Sequence, residues 1–469
     1  MAFNDISFLF IFFPVALLLH MLMPMRGKNV LLLILSLIFF AWGSPEYVLL
    51  LILSILFNYF TGLQMGKQKE EQDEKGLKFT IWSAVIVNLL LLGFFKYWGF
   101  VLNNVNALLG TSIPVRQLSM PLGISFFTFS VLSYLFDVYR DKAPAAKNIL
   151  DFGLFVAFFP KLVSGPIVQY TEFAAQVQER KLTQAKFGAG CRLFLIGLAK
   201  KVLLSNIIGT TFYAVTALPT DGISVVTAWL GAISYSLMLY FDFSGYSDMA
   251  IGIAQMFGFN FNKNFDYPYM SASVSEFWRR WHISLGAWFR DYVYIPLGGS
   301  RVEKKKIIRN LLIVWGLTGI WHGANWNFIF WGFFHGGILL MEKFVLNSFL
   351  EKVPKVLRIF GTVILVVIGW VFFFSPDLGS AFLWLGRMFG IGAHGFVDAT
   401  AVYYFSASAI ILAIGAISAY PIGAKLGSNV YHMGKSAVAL SVIWFGLLLI
   451  LCIAGMLSST YSSFLYFQF

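Results

Sequence analysis

The sequence predicts an all-α, polytopic integral membrane protein: one bundle over residues 1–469, with about 11–14 hydrophobic helices, short tilted or re-entrant ones included. Three observations predict it. The chain is 58% hydrophobic and 12% charged, with a mean hydropathy of +0.75, whereas soluble domains carry about a quarter charged residues. Apolar runs of roughly the 20 residues that cross a bilayer follow one another along the chain. The net charge of +12 sits mostly in short links between these runs. That is the distribution of topogenic loops, not of a basic–aromatic surface tracking a nucleic-acid strand. The expected partner is therefore the lipid bilayer, and nucleic acid is excluded.

The first run, residues 6–23, lacks a basic leading segment and is followed at once by others, so it reads as a span and not as a cleaved signal. Next come 30–42, 47–63, 79–100, 122–138, 152–168, 192–212 and 225–243. Between Tyr246 and Pro296 the hydropathy is mixed. Helices there are expected to be short, tilted or re-entrant, which backbone at membrane depth tolerates only when protein or a water cavity covers it. The last runs are 307–320, 326–340, 359–374, 401–420 and 437–457.

Lysine and arginine set the orientation. The link with Arg26 and Lys28 reads cytoplasmic, the link 43–46 has neither residue and reads external, and the loop 66–78, with Lys67, Lys69, Lys75 and Lys78, reads cytoplasmic again. The N-terminus is expected outside. The run RVEKKKIIR (301–309) reads as a further cytoplasmic loop. No soluble domain is expected at either end.

Several chemistries find no support. Cys191 and Cys452 lie in apolar runs and offer neither a disulfide framework nor metal spacing. There is no P-loop, no GxSxG elbow and no His/Asp/Glu metal set, so no bound cofactor or metal is expected. Gly298-Gly299-Ser300, followed by basic residues, could contact phosphate, but a plain turn before a topogenic loop explains it more simply.

Two histidines stand out. His322 lies in LTGIWHGANWNFIFWG (317–332), among Trp321, Trp326 and Trp331. On a continuous helix Asn325 and Trp326 would share its face, and Gly319 and Gly323 would leave room beside it. An imidazole among indoles loses stabilisation of its charged form, and a neutral imidazole can accept a proton from a hydroxyl. A helix-packing histidine is the other reading. His282, in FWRRWHISLGAWFRDYVYIPLGGSR (277–301), has Trp278 and Arg279 one turn earlier, with Arg280, Trp281, Arg290 and Asp291 around it. A functional funnel and an aromatic belt with snorkelling arginines both fit.

The other candidates read as structural. His335 follows His322 by 13 positions, roughly 140° away on a continuous helix. His20, His394 and His432 read as satisfied or solvated. Asp242, Asp248 and Asp266 read as bundle-holding acids paired with arginines, or else as groups that orient an imidazole; Asp137 is expected beside Arg140. In FFPKLVSGPIVQY (158–170), Pro160, Gly165 and Pro166 break a helix, and Lys161 is expected near an interface or pocket.

Taken together, PLGISFFTFSVLSYLFDVYR (121–140), FFPKLVSGPIVQY, LYFDFSGYSDMAIGIAQMFGF (239–259), NFDYPYM leading into the FWRRWH…YIPLGGSR block, GIWHGANWNFIFWG and the closing FLYFQF (464–469) resemble the membrane-bound O-acyltransferase family. The likeness is to its bacterial branch of alginate and peptidoglycan O-acetyltransferases. It covers nearly the whole chain; Lys161 departs from it, where the pattern implies a neutral glutamine.

The resemblance implies a through-membrane funnel with His322 as the essential catalytic histidine and His282 as the second signature histidine. Trp321, Asn325, Trp326, Trp278, Arg279 and Arg280 are the substrate-binding candidates. The expected reaction passes acetyl from a cytoplasmic donor, acetyl-CoA, to an extracellular polysaccharide such as alginate, at the bacterial cytoplasmic membrane, with a separate extracytoplasmic acetyltransferase as partner. Competing readings are O-acetylation of peptidoglycan or another wall polymer, D-alanylation of teichoic acid, and a proton-coupled transporter, since buried His and Asp also suit proton coupling.

Overall fold

The computed structural model describes residues 2–116, 118–219, 222–422 and 435–458. The closing FLYFQF motif and His432 lie outside the described residues. Every regular element among the described residues is a helix. Nine of these helices are long and apolar enough to cross a membrane: Met25–Gly43, Pro45–Glu70, Glu74–Leu109, Gln184–Thr216, Val225–Met256, Trp326–Leu350, Lys355–Phe374, Ala399–Ser418 and Val438–Ser458. Phe8–Leu22 and Ile124–Tyr139 are shorter apolar helices. The chain divides into two compact units, Met1–Phe194 with Ala250–Asn262, and Leu195–Met249 with Lys263–Phe469.

In the first unit, Glu74–Leu109 starts where the Asp73 carboxylate accepts the Gly76 N–H and stops at Gly110 in the left-handed region, the usual pair of helix stop and start signals. Asn58 and Asn88 close a reciprocal amide pair between two of its spans, at 3.1 and 2.8 Å. Such a pair supplies directional attraction where apolar surface gains nothing from leaving lipid. Ile124–Tyr139 is buried from Ile124 through Leu135 although it carries Ser125, Thr128, Ser130 and Ser133. Lys161 is also buried; its Nζ donates to the Ser130 Oγ at 2.8 Å and stands over the Phe155 ring. Arg140 lies over the Phe136 ring.

The run 152–168 is not one span. The chain forms Ile149–Ala157, then Phe159–Leu162, then an irregular turn. Pro160 has no N–H to continue the first helix and fits the first turn of the next. A Cβ at Gly165 would collide with the Pro160 carbonyl oxygen, so the tight return needs glycine.

The helix expected to end at 243 starts in the second unit and runs on to Met256, so the mixed stretch starts inside a helix. Beyond it come the short helices Val274–Arg280 and Ile283–Phe289, as the composition implied. Lys304–His322 carries four basic residues near its start, Lys304, Lys305, Lys306 and Arg309, which keeps it out of the nine. Gly298 and Gly299 both have positive φ, and Asn310 Nδ2 donates to the carbonyls of Leu297 and Gly299; the segment is a turn. Asp242 and Asp248 pair with lysines where arginines were expected: Lys201 at 2.5 Å and Lys200 at 2.6 Å. Both lysines sit in a π-helical turn, Lys200–Ser205. Asp266 pairs with Arg280 at 3.3 Å.

Candidate active site

The site is built from three short stretches of the second unit. Ser273 caps Val274–Arg280 by accepting the Glu276 N–H, and the Glu342 carboxylate accepts the N–H groups of Val274 and Ser275 at 2.6 and 2.8 Å. A carboxylate there meets the positive end of the helix. Although partial burial pulls the other way, the Ala272 N–H and the Arg280 guanidinium hold the Glu276 carboxyl below its usual range. The helix is thus fixed at its start and ends at Arg280, directly before Trp281 and His282.

His282 is 2% exposed and takes the left-handed backbone, φ 46° and ψ 52°, at the start of Ile283–Phe289. That conformation is uncommon for a residue with a Cβ, and it clusters at functional positions. Its Nδ1 lies 3.1 Å from Asn264 Oδ1, and its ring meets the Phe243 ring edge-on at 4.7 Å. Burial pushes the imidazole down to about 3, so it is uncharged at neutral pH.

His322 is 3% exposed and is the last residue of Lys304–His322. Gly323 is extended, φ −169° and ψ 155°, and a Cβ there would strike the Phe328 ring. The helix therefore stops at the histidine, and the next, Trp326–Met341, begins after Asn325. The rings of Trp321, Trp331 and Phe373 surround the imidazole with centroids at 4.9, 4.9 and 5.2 Å. Trp321 also reaches His282, at 6.2 Å. One indole therefore packs against both imidazoles.

The break changes what helical spacing implied. Asn325 and Trp326 do not share a helix face with His322: Asn325 Nδ2 donates to the Pro376 carbonyl at 2.7 Å, and Trp326 is 53% exposed. Nor does an angle of about 140° separate His335 from His322, because they stand on different helices. His335 is fully buried, 4.9 Å from Trp278 and 5.2 Å from Trp331, so both histidines touch Trp331. Trp278 donates to His335 Nδ1 at 3.4 Å and joins the indoles of Trp315, Trp331 and Trp370. Arg280 is engaged by Glu276 and Asp266, while Arg279 is exposed.

The structure therefore gathers His282, His322, Trp321 and Trp278 and leaves Arg279, Asn325 and Trp326 at the edge. It adds Asn264, Phe243, Phe373 and Trp370, which sequence spacing could not reveal because each reaches the histidines through contacts distant along the chain. Gly369 is the faintest of these signals: a Cβ there would meet His335 Nε2 at 2.5 Å.

The protein is thus a polytopic helical membrane protein that holds two buried, aromatic-walled imidazoles. Residues 34–380 match the model of MBOAT, the membrane-bound O-acyltransferase family, and the chain belongs to that family. It is 42% identical to the probable alginate O-acetylase of Azotobacter vinelandii over 84% of this chain and 79% of that protein. It is 43% identical to the probable alginate O-acetylase of Pseudomonas syringae pv. tomato over 84% and 76%. It is 37% identical to the peptidoglycan O-acetyltransferase of Helicobacter pylori over 83% and 80%.

Proposed function

We propose that this enzyme passes acetyl groups from a cytoplasmic donor, acetyl-CoA, across the bacterial cytoplasmic membrane for O-acetylation of an extracellular polysaccharide such as alginate. His322 is the catalytic residue in this reading and His282 the second functional histidine. The observation that carries it is the pair of buried imidazoles that both pack against Trp321. Burial disfavours the charged form of an imidazole, and a neutral imidazole can take a proton from a hydroxyl.

In the transfer, the acceptor oxygen bonds to the acetyl carbonyl carbon as the carbon–sulfur bond breaks. His322 takes the hydroxyl proton and returns it to the leaving thiolate, so the products are an ester and a thiol. In the covalent variant the imidazole nitrogen first carries the acetyl group. A separate extracytoplasmic acetyltransferase completes delivery to the polymer. The relative from Helicobacter pylori favours peptidoglycan as the second choice of acceptor.

Purified protein in detergent with radiolabelled acetyl-CoA tests this. Acetyl transfer or turnover without a gradient, lost in His322→Ala, is the expected result. Intact label crossing liposomes instead would make the protein a transporter, and neither activity would leave a scaffold.

A further inference from the structure

Asn264 is a fully engaged polar side chain beside the site. It is 1% exposed, and its Oδ1 receives the Ser284 N–H at 3.1 Å and the Ser284 hydroxyl at 2.9 Å. Its Nδ2 donates to the Ser247 hydroxyl at 2.9 Å. A backbone N–H can only donate, so the amide atom facing Ser284 must be the oxygen. The same oxygen lies 3.1 Å from His282 Nδ1. An amide oxygen cannot donate, so Nδ1 must carry the hydrogen, and a neutral imidazole protonated at Nδ1 has its lone pair on Nε2.

We infer that Asn264 is a positioning residue: it locks His282 in the tautomer protonated at Nδ1, so that Nε2 carries the lone pair and acts as a hydrogen-bond acceptor. Two further observations agree. The Ile283 N–H donates to the Asn264 carbonyl at 2.9 Å, so the asparagine also holds the chain just after the strained His282 backbone. Burial opposes a second proton on the ring, which removes the doubly protonated form that would erase the distinction. In the proposed reaction His282 Nε2 thereby accepts a hydrogen bond and does not deliver a proton. The inference rests on the proposed role for His282, but its first readout does not.

The test uses full-length protein labelled with 15N-histidine in lipid nanodiscs, with the His282 signals identified by their loss in His282→Gln. The expected spectrum has a protonated Nδ1 and an unprotonated Nε2. Asn264→Leu should mix or reverse that pattern and lower kcat by at least about tenfold with a smaller change in KM. Asn264→Asp, whose carboxylate still accepts from Nδ1–H, should keep the tautomer and recover most of kcat. Wild-type His282 protonated at Nε2, or an unchanged tautomer in Asn264→Leu, would overturn the inference. If Asn264→Leu fails to fold, the wild-type and Asn264→Asp spectra decide alone. A correct tautomer with full activity in His282→Gln would leave the Asn264 lock standing and sink the role of His282 in the reaction.

Discussion

The His322 ring stands edge-on to the Trp331 indole, with centroids 4.9 Å apart and planes at 85°, although the two residues lie on different helices. The helix pair that makes this contact approaches backbone to backbone: a Cβ at Gly332 would run into the Trp315 carbonyl and crowd Gly319, and one at Gly319 would meet the Phe328 carbonyl. Small residues let membrane helices close to this distance.

Gly332→Ala should therefore destabilise the protein by about 1–3 kcal/mol, because the obstructing atoms are backbone and cannot swing away. Thermal unfolding in detergent measures it; an unchanged Tm would mean that the helices separate without cost.

His322→Ala should abolish polysaccharide O-acetylation, a loss of at least about 10²-fold, with the protein still inserted in the membrane. Polymer acetyl content and membrane fractionation check the two parts. Wild-type acetylation would remove His322 from the mechanism.

His282→Ala should impair activity less severely. The folded imidazole is held near 3 by burial, below its ordinary value of about 6.5. It therefore stays neutral throughout pH 5–8, and its titration contributes no limb to the rate profile in that range. Folding stability linked to it is full above the ordinary value and falls as pH drops toward 3, since the unfolded chain takes the proton first. An inflection near pH 6.5 that disappears in His282→Gln would contradict this.

Lys201 and Asp242 are 3% and 1% exposed at 2.5 Å. Lys201→Met should cost about 3–5 kcal/mol by stranding a buried carboxylate, and adding Asp242→Leu should recover much of it. Chemical denaturation of the single and double variants checks the coupling; equal losses in both would show that Lys201 acts through packing alone.

Lys161→Gln should be tolerated within about 1 kcal/mol, because an amide can still donate to the Ser130 hydroxyl. Lys161→Ala should cost about 2–4 kcal/mol through the cavity it opens. Melting of both variants beside wild type distinguishes lost volume from lost hydrogen bonding.

Composition and the succession of apolar runs by themselves determined an all-helical membrane protein, because solvation in a bilayer depends on local sequence alone. The two aromatic-rich histidine blocks were legible for a similar reason, since Trp278, Trp281, Trp321 and Trp331 lie close to the histidines along the chain. Only the tertiary structure decided which neighbours matter. Gly323 ends a helix that periodicity carried forward, so Asn325 and Trp326 leave the His322 face and His335 comes to share Trp331 with it. Asn264, 18 positions before His282, reaches it because the intervening chain folds back, with the Ile283 N–H donating to the Asn264 carbonyl. A period describes one unbroken helix; where a glycine or a strained residue interrupts it, packing between distant segments chooses the partners.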